Sequence, residues 1–166
     1  MAASRASPKF GAVVKLRVFE PGDLGHVKNL IDSTIDVIYS YYPIEFINYW
    51  KNSFHSEERI LAEARQGLII VAELNKRIVG TGTLIGKEIS RVFVMTKFHR
   101  KGIGKLIMSN LELRAKKDKV EVVYLTSTAV SKAFYESLGY STIEGEIFSA
   151  EDSLVVGYFR MKKTIH

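Results

Sequence analysis

The stretch VFVMTKFHRKGIGKLIMSNLELRAKK, Val92 to Lys117, contains the join that decides how the chain folds. An apolar run stops at Met95, two glycines alternate with Ile103, basic side chains crowd the turn, and an amphipathic pattern begins at once. Ile103, Leu106, Ile107 and Leu111 share one helical face, with Lys105, Glu112, Lys116 and Lys117 outward. This is a strand, a bare turn and a helix. A helix N-terminus carries unpaired N–H groups and a partial positive charge, and glycines there let an anion approach without meeting a Cβ. His99, Arg100, Lys101, Gly102, Ile103, Gly104 and Lys105 are therefore a candidate pyrophosphate cradle, with Lys97 adding attraction. The same residues also fit a tight turn with a solvated basic rim. Two other glycine loops do not fit: a Walker A loop needs a hydroxyl where Leu106 stands, and a dinucleotide fingerprint needs a third glycine where Ile107 stands.

Outward from this join, Ala12 to Phe19 reads as a first strand and Asp23 as the N-cap of an amphipathic helix reaching about Ser40. Pro43 is placed as the first residue of a short helix, and Ser56 caps a segment that Gly67 closes. The period then becomes that of strands: LIIVAEL, an Asn75-Lys76 turn, RIVGTGTLIG and KEISRVFVM, an antiparallel meander. After the long helix come the strand VEVVYLT, a helix from Ala129 to Leu138 stopped by Gly139, and strands from about Tyr140 and Leu154. The expectation is one α+β domain over residues 12–166, preceded by a disordered leader at 1–11.

With 166 residues the chain is long enough to bury a substantial core, and no apolar run approaches the ~20 residues that span a bilayer. Cysteine is absent, which excludes disulfides, a thiol nucleophile and thiolate metal sites and makes a cytoplasmic address the simplest reading. The four histidines are far apart and none pairs at a metal-ligand spacing, so no metal is expected. A net charge of +6 favours an anionic partner. Because the basic residues gather at the cradle while the aromatics lie elsewhere, that partner is read as a phosphorylated small molecule, with no nucleic acid and no membrane.

The strand VFV, the loop HRKGIG, the following helix, the strand VVYLT and then Ser131-x-x-Phe134-Tyr135-x-x-x-Gly139-Tyr140 together resemble the GCN5-related N-acetyltransferase (GNAT) superfamily. The pattern there is Gln/Arg-x-x-Gly-x-Gly/Ala followed by Phe/Leu-Tyr-x-x-x-Gly-Phe/Tyr, and the resemblance extends over nearly everything after Ala12. His99 stands where Gln or Arg is usual, and Thr128 where many members place Asn. The resemblance implies a three-layer α+β fold with helices on both faces. Its mixed, mostly antiparallel central sheet is splayed between strands 4 and 5.

It also implies an acetyl-coenzyme A-dependent N-acetyltransferase, monomeric or homodimeric, in which a primary amine of a small molecule or a peptide attacks the thioester directly. The alternative is a degenerate domain that holds acetyl-coenzyme A as a sensor. By the same resemblance Phe93 and Val94 offer backbone groups to the pantetheine, with the Val94 N–H as oxyanion donor, and the amides from Arg100 to Lys105 take the pyrophosphate. His99, Thr128, Ser131, Phe134 and Tyr135 line the rest of the cofactor site. Tyr135 is the expected proton donor to the leaving thiolate, and Glu88 the expected base, with Glu73 next. Seven aromatics between Tyr39 and Phe54 fall in the segment that shapes the acceptor side, where Tyr41 and Tyr42 are the pocket candidates and Phe46 and Trp50 fit core packing equally well.

Overall fold

The computed structural model describes residues 13–150 and 154–166; the leader expected over 1–11 lies outside the described residues. Seven strands form one sheet in the order β1-β2-β3-β4-β5-β7-β6: β1 (Lys15–Val18), β2 (Leu68–Leu74), β3 (Arg77–Ile85), β4 (Glu88–Val94), β5 (Val122–Thr128), β6 (Ser141–Ala150) and β7 (Leu154–Thr164). Every neighbouring pair is antiparallel except β4–β5, which is parallel. A parallel pair needs a crossover, which α4 (Ile103–Lys117) supplies. Among the described residues no helix is long and apolar enough to cross a membrane.

The helices lie on both faces because each has one apolar stripe to bury. On one face α4 and α5 (Ala129–Ser137) cover Ile70, Val79, Ile89 and Leu125 with Ile103, Leu106, Ile107, Leu111 and Tyr135. On the other, α1 (Leu24–Ile38), α2 (Ile44–Tyr49) and α3 (Glu57–Gln66) cover Ile69 and Val71 with Val27, Ile31, Ile35, Phe46 and Ile60. Gly80 and Gly82 let α4 sit close on β3: a Cβ on either would come within 2.8 Å and 2.6 Å of the Ile107 side chain.

Local expectations hold with instructive shifts. The Asn75-Lys76 turn forms with φ of 50° and 62°, so a lysine accepts the left-handed region that a hairpin of this kind requires. Ser56 does cap α3, its side chain accepting from the Arg59 N–H. Pro43 is the N-cap of α2, one residue before its expected place, and α2 continues into a wide π turn over Trp50–Phe54. Asp23 does not cap α1 with its side chain, because Arg17 takes the carboxylate at 2.7 and 2.9 Å while the Glu20 N–H donates to it at 2.8 Å.

Candidate active site

Strands β4 and β5 meet at a single register, Glu88 opposite Tyr124, where the Tyr124 N–H donates to the Lys87 carbonyl at 2.9 Å. Beyond it the strands part. The other edge of β5 pairs with β7 along its whole length, from Val122 opposite Thr164 to Thr128 opposite Tyr158. The divergence has a local cause in β4, whose register with β3 shifts between Thr81 and Thr83, with Arg91 at φ 53° as the bulged residue.

The Arg91 side chain is 2 % exposed and fully engaged: Glu63 Oε2 lies at 2.7 Å, the Phe54 carbonyl at 3.2 Å and His55 Nδ1 at 2.6 Å. A guanidinium only donates, so Nδ1 accepts. Burial, and then the Arg91 charge, push the His55 pKa well below the ordinary histidine value and keep the ring neutral. The bulge is thus tied to α3 and to the π turn.

Past the bulge, Phe93 lies opposite Thr81, and the Met95 N–H donates to the Val79 carbonyl at 2.9 Å. Antiparallel pairs alternate, so Phe93 and Met95 bond to β3 while the N–H and C=O groups of Val92 and Val94 turn toward the gap. Val94 thus presents its backbone to the gap, whereas the backbone of Phe93 belongs to the β3 ladder and its ring packs edge-on to His55 at 5.1 Å. Counting alternation back from Val94 would have identified Val92.

After β4 comes a 3-10 turn at Thr96–Phe98, then His99 in extended conformation, Arg100 at φ 62° and Gly102 at φ 82° as the N-cap of α4. The first-turn N–H groups of α4 have no intrahelical partner and face outward along the axis. The two glycines differ in purpose. A Cβ at Gly102 would meet nothing within 4 Å, so space is open above the turn, whereas a Cβ at Gly104 would lie 3.1 Å from the Phe134 ring. Lys97 and Lys101 sit over the Phe98 ring at 5.1 and 5.2 Å, which gathers positive charge at the rim. His99 Nε2 lies 2.6 Å from the Val94 carbonyl.

The opposite wall carries hydroxyls. Tyr135 of α5 is 8 % exposed, its ring edge-on to Phe134 and Tyr140 at 5.1 and 5.9 Å. Burial, then the proximity of Tyr39, push its pKa upward, so the phenol stays protonated. Thr128 closes β5, its Oγ1 3.0 Å from the Tyr39 hydroxyl and 3.4 Å from Ser131 Oγ. Tyr39 arrives from the end of α1 on the other face of the sheet and stands edge-on to Trp50 at 4.7 Å.

The two candidate bases are both paired. Glu88 sits at the closed end of the gap in a bidentate pair with Arg160 at 2.8 and 2.5 Å. Glu73, on β2 opposite Lys15, accepts from Arg17 at 3.1 Å and lies two strands from the gap. Each carboxylate is thus already engaged by a guanidinium. On the acceptor side Tyr41 is 68 % exposed and packs at 4.7 Å on Tyr42, which burial raises to a pKa of about 12. Tyr42 in turn contacts Phe46 and Trp50 at 5.8 and 5.7 Å, and both of those are buried, as packing residues are. Trp50 Nε1 donates to the Tyr158 hydroxyl at 2.9 Å. Tyr158 lies far along the chain, and no local pattern marked it.

A separate depression of about 310 Å3, lined by Arg65, Leu68, Leu84, Arg114 and Asp118, lies toward the Leu84 end of β3, away from the open mouth of the gap.

Comparison with known proteins bears on this arrangement. The family model for the acetyltransferase (GNAT) domain matches residues 39–165. Among solved structures, a GCN5-related N-acetyltransferase from Rhodopseudomonas palustris superposes with a TM-score of 0.82 at 18 % identity, covering 99 % of both chains. PaiA N-acetyltransferase from Thermoplasma acidophilum, solved with coenzyme A, gives 0.72 at 19 % identity, over 91 % of this chain and 98 % of its own. YncA from Salmonella typhimurium, solved with acetyl-CoA, gives 0.71 at 18 % identity, over 92 % and 94 %. No curated protein matches significantly.

Proposed function

Since the chain belongs to the GNAT acetyltransferase family, we propose that it transfers the acetyl group of acetyl-coenzyme A to a primary amine by direct attack in a ternary complex. The observation that carries this reading is the gap itself. By strand alternation the backbone groups of Val92 and Val94 face it, the Gly102 turn leads from the end of β4 into α4 with open space above it, and Tyr135 is carried on α5, directly after β5. The coenzyme A complex of the Thermoplasma protein and the acetyl-CoA complex of YncA support the choice of donor.

The residues fit such a donor. Two gap-facing strand residues offer N–H and C=O groups to the amides of a pantetheine arm, and the open space at Gly102 admits a pyrophosphate to the first-turn amides of α4. When bound, acetyl-coenzyme A supplies an activated thioester carbonyl. The Val94 N–H, held by the β3–β4 ladder, then serves as a fixed donor to the oxygen on which charge develops. Tyr135, kept protonated by burial, holds a proton for the departing sulfur. The aromatic wall of Tyr41, Tyr42 and Tyr158 shapes the acceptor side.

Thiol release from acetyl-coenzyme A against a panel of amines and peptides tests this. Turnover above the rate with water is expected, and its absence with every acceptor would leave the second reading, a domain that binds without transfer. The commitment of both Glu88 and Glu73 to arginines is the observation that favours the latter.

A further inference from the structure

Two irregular backbone segments, distant in sequence, meet at one buried side chain. On β4 the bulged Arg91 holds φ 53°, a conformation that a residue with a Cβ keeps only where its surroundings fix it. After α2 the chain widens into the π turn of Trp50–Phe54, closed by the His55 N–H donating to the Trp50 carbonyl at 2.8 Å. Such turns are frequent at functional sites. His55, 6 % exposed, joins the two: its Nδ1 accepts from Arg91 at 2.6 Å and its ring stands edge-on to Phe93 at 5.1 Å. Arg91 and Phe93 flank Val92, whose backbone groups face the gap. The strand position that would pair with a ligand is therefore gripped, through both its neighbours, by one imidazole. Arg91 is anchored further by Glu63 of α3 at 2.7 Å and by the Phe54 carbonyl at 3.2 Å. The other end of the π turn is Trp50, which packs on Tyr39 at 4.7 Å and Tyr42 at 5.7 Å and donates through Nε1 to the Tyr158 hydroxyl at 2.9 Å. Each step from Val92 to the aromatic wall is thus a main-chain bond or a direct contact.

We propose that Arg91 is a positioning residue that transmits, through His55, the set of β4 to Trp50, so that a ligand filling the gap fixes the wall against which the acceptor rests. The inference rests on the transferase reading above, which supplies both the donor and the acceptor side. A ligand paired with Val92 bears on Arg91 and Phe93 at once. His55 takes up that load from both, and its own N–H is held by the Trp50 carbonyl, so the indole answers to it. Close-packed interiors transmit such displacements because they compress little. The guanidinium suits the task, since its planar fork reaches Glu63, Phe54 and His55 together, which a single ammonium cannot do.

Trp50 is the sole tryptophan of the chain, so its emission reports this wall alone. The test titrates the full chain with coenzyme A, following binding by calorimetry and the indole by fluorescence. In the wild type, saturation should shift the Trp50 emission. His55→Leu removes one acceptor of Arg91 and leaves it Glu63 and the Phe54 carbonyl. It should still bind, with Kd raised by no more than about fivefold, the worth of one hydrogen bond, and should lose most of the emission response. Arg91→Met, which removes the donors themselves, should behave alike and carries the test if His55→Leu does not fold. His55→Asn, whose amide oxygen can replace Nδ1 as the acceptor, should keep most of the response, a rescue that mere filling of space would not give. A full emission response in His55→Leu or Arg91→Met with coenzyme A bound, a His55→Asn as silent as His55→Leu, or a wild type that binds without any change at Trp50 would each overturn the link. A wild type that takes up no coenzyme A would overturn the donor reading and this inference with it, a result that calorimetry separates from a bound but silent indole.

Discussion

The imidazole Nε2 of His99 lies 2.6 Å from the carbonyl oxygen of Val94, bridging the end of β4 to the turn that leads into α4. A carbonyl can only accept, so Nε2 carries the hydrogen, and both a neutral ring with that tautomer and a protonated ring make the bond. The resemblance counts this side chain among those lining the cofactor site; in the structure it holds the gap-facing carbonyl of Val94 and leaves that oxygen's second lone pair for a ligand. His99→Gln, which retains an N–H donor, should keep acetyl-coenzyme A affinity within a few fold. His99→Ala should weaken it by roughly fivefold, the net value of about 1 kcal/mol for one hydrogen bond. Isothermal titration of both variants checks this, and equal affinities for His99→Ala and wild type would return the residue to a permissive role.

Gly102 and Gly104 should respond differently. At φ 82° Gly102 tolerates a side chain poorly, so Gly102→Ala should lower stability by about 1 kcal/mol. Gly102→Val, which also fills the space above the turn, should abolish the thermal shift produced by acetyl-coenzyme A. At Gly104 the obstacle is the Phe134 ring, 3.1 Å from a built Cβ. The loss in Gly104→Ala should therefore be recovered in part by Phe134→Leu, and a double-mutant cycle with no coupling would disprove the contact.

Tyr135→Phe should lower turnover by about 10²-fold with coenzyme A affinity nearly intact, as for a lost general acid at the low end of that effect. Because the phenol pKa is raised by burial, it remains a proton donor through the alkaline range, and the wild-type rate should show no Tyr135-dependent fall between pH 7 and 9. Steady-state kinetics across that range decides it.

Glu88→Gln separates a base from a brace. The Glu88–Arg160 pair is partly exposed and bidentate, so its loss should reduce stability by about 1 kcal/mol or less. If Glu88 is a brace, kcat in Glu88→Gln keeps its pH dependence. Disappearance of an acidic limb from the kcat profile, with coenzyme A binding preserved, would instead identify it as the base.

His55 sets an acid limit on stability. Its folded pKa lies well below the unfolded value of about 6.5, first because it is buried and then because Arg91 adjoins it. The folded chain therefore binds fewer protons there than the unfolded chain. The associated stability is complete above pH ~6.5 and is lost progressively as pH falls from there toward the folded pKa. Thermal midpoints between pH 7 and 5 should fall less steeply in His55→Asn, whose amide oxygen can replace Nδ1 as the acceptor for Arg91. Parallel curves would exclude the histidine as the source.

Much of this was readable before any coordinates, and what was not has a common cause. The meander from Leu68 to Val94, Ser56 as a cap and the α4 stripe depend on neighbours a few residues apart, which periodicity reports directly. The Arg91 bulge inserts one residue into β4, so alternation counted from Glu88 changes face there, whereas counted back from Val94 it gives Val92 and not Phe93 as the gap-facing residue. The partners that remove Glu88 and Glu73 from free solution, Arg160 and Arg17, stand 72 and 56 positions away. Tyr39 was visible as one of seven aromatics, but its bond to Thr128 joins residues 89 apart.

The single rung between β4 and β5 has a consequence for cooperativity. Four strands on one side and three on the other share that rung, so much of the connection between the two halves passes through α4 and its packing rather than through main-chain bonds. A ligand that pairs with Val92 and Val94 adds the missing rungs and becomes, energetically, another strand. The amides of those two residues should then exchange with solvent far more slowly when the gap is filled, and unfolding should sharpen as the halves begin to melt as one.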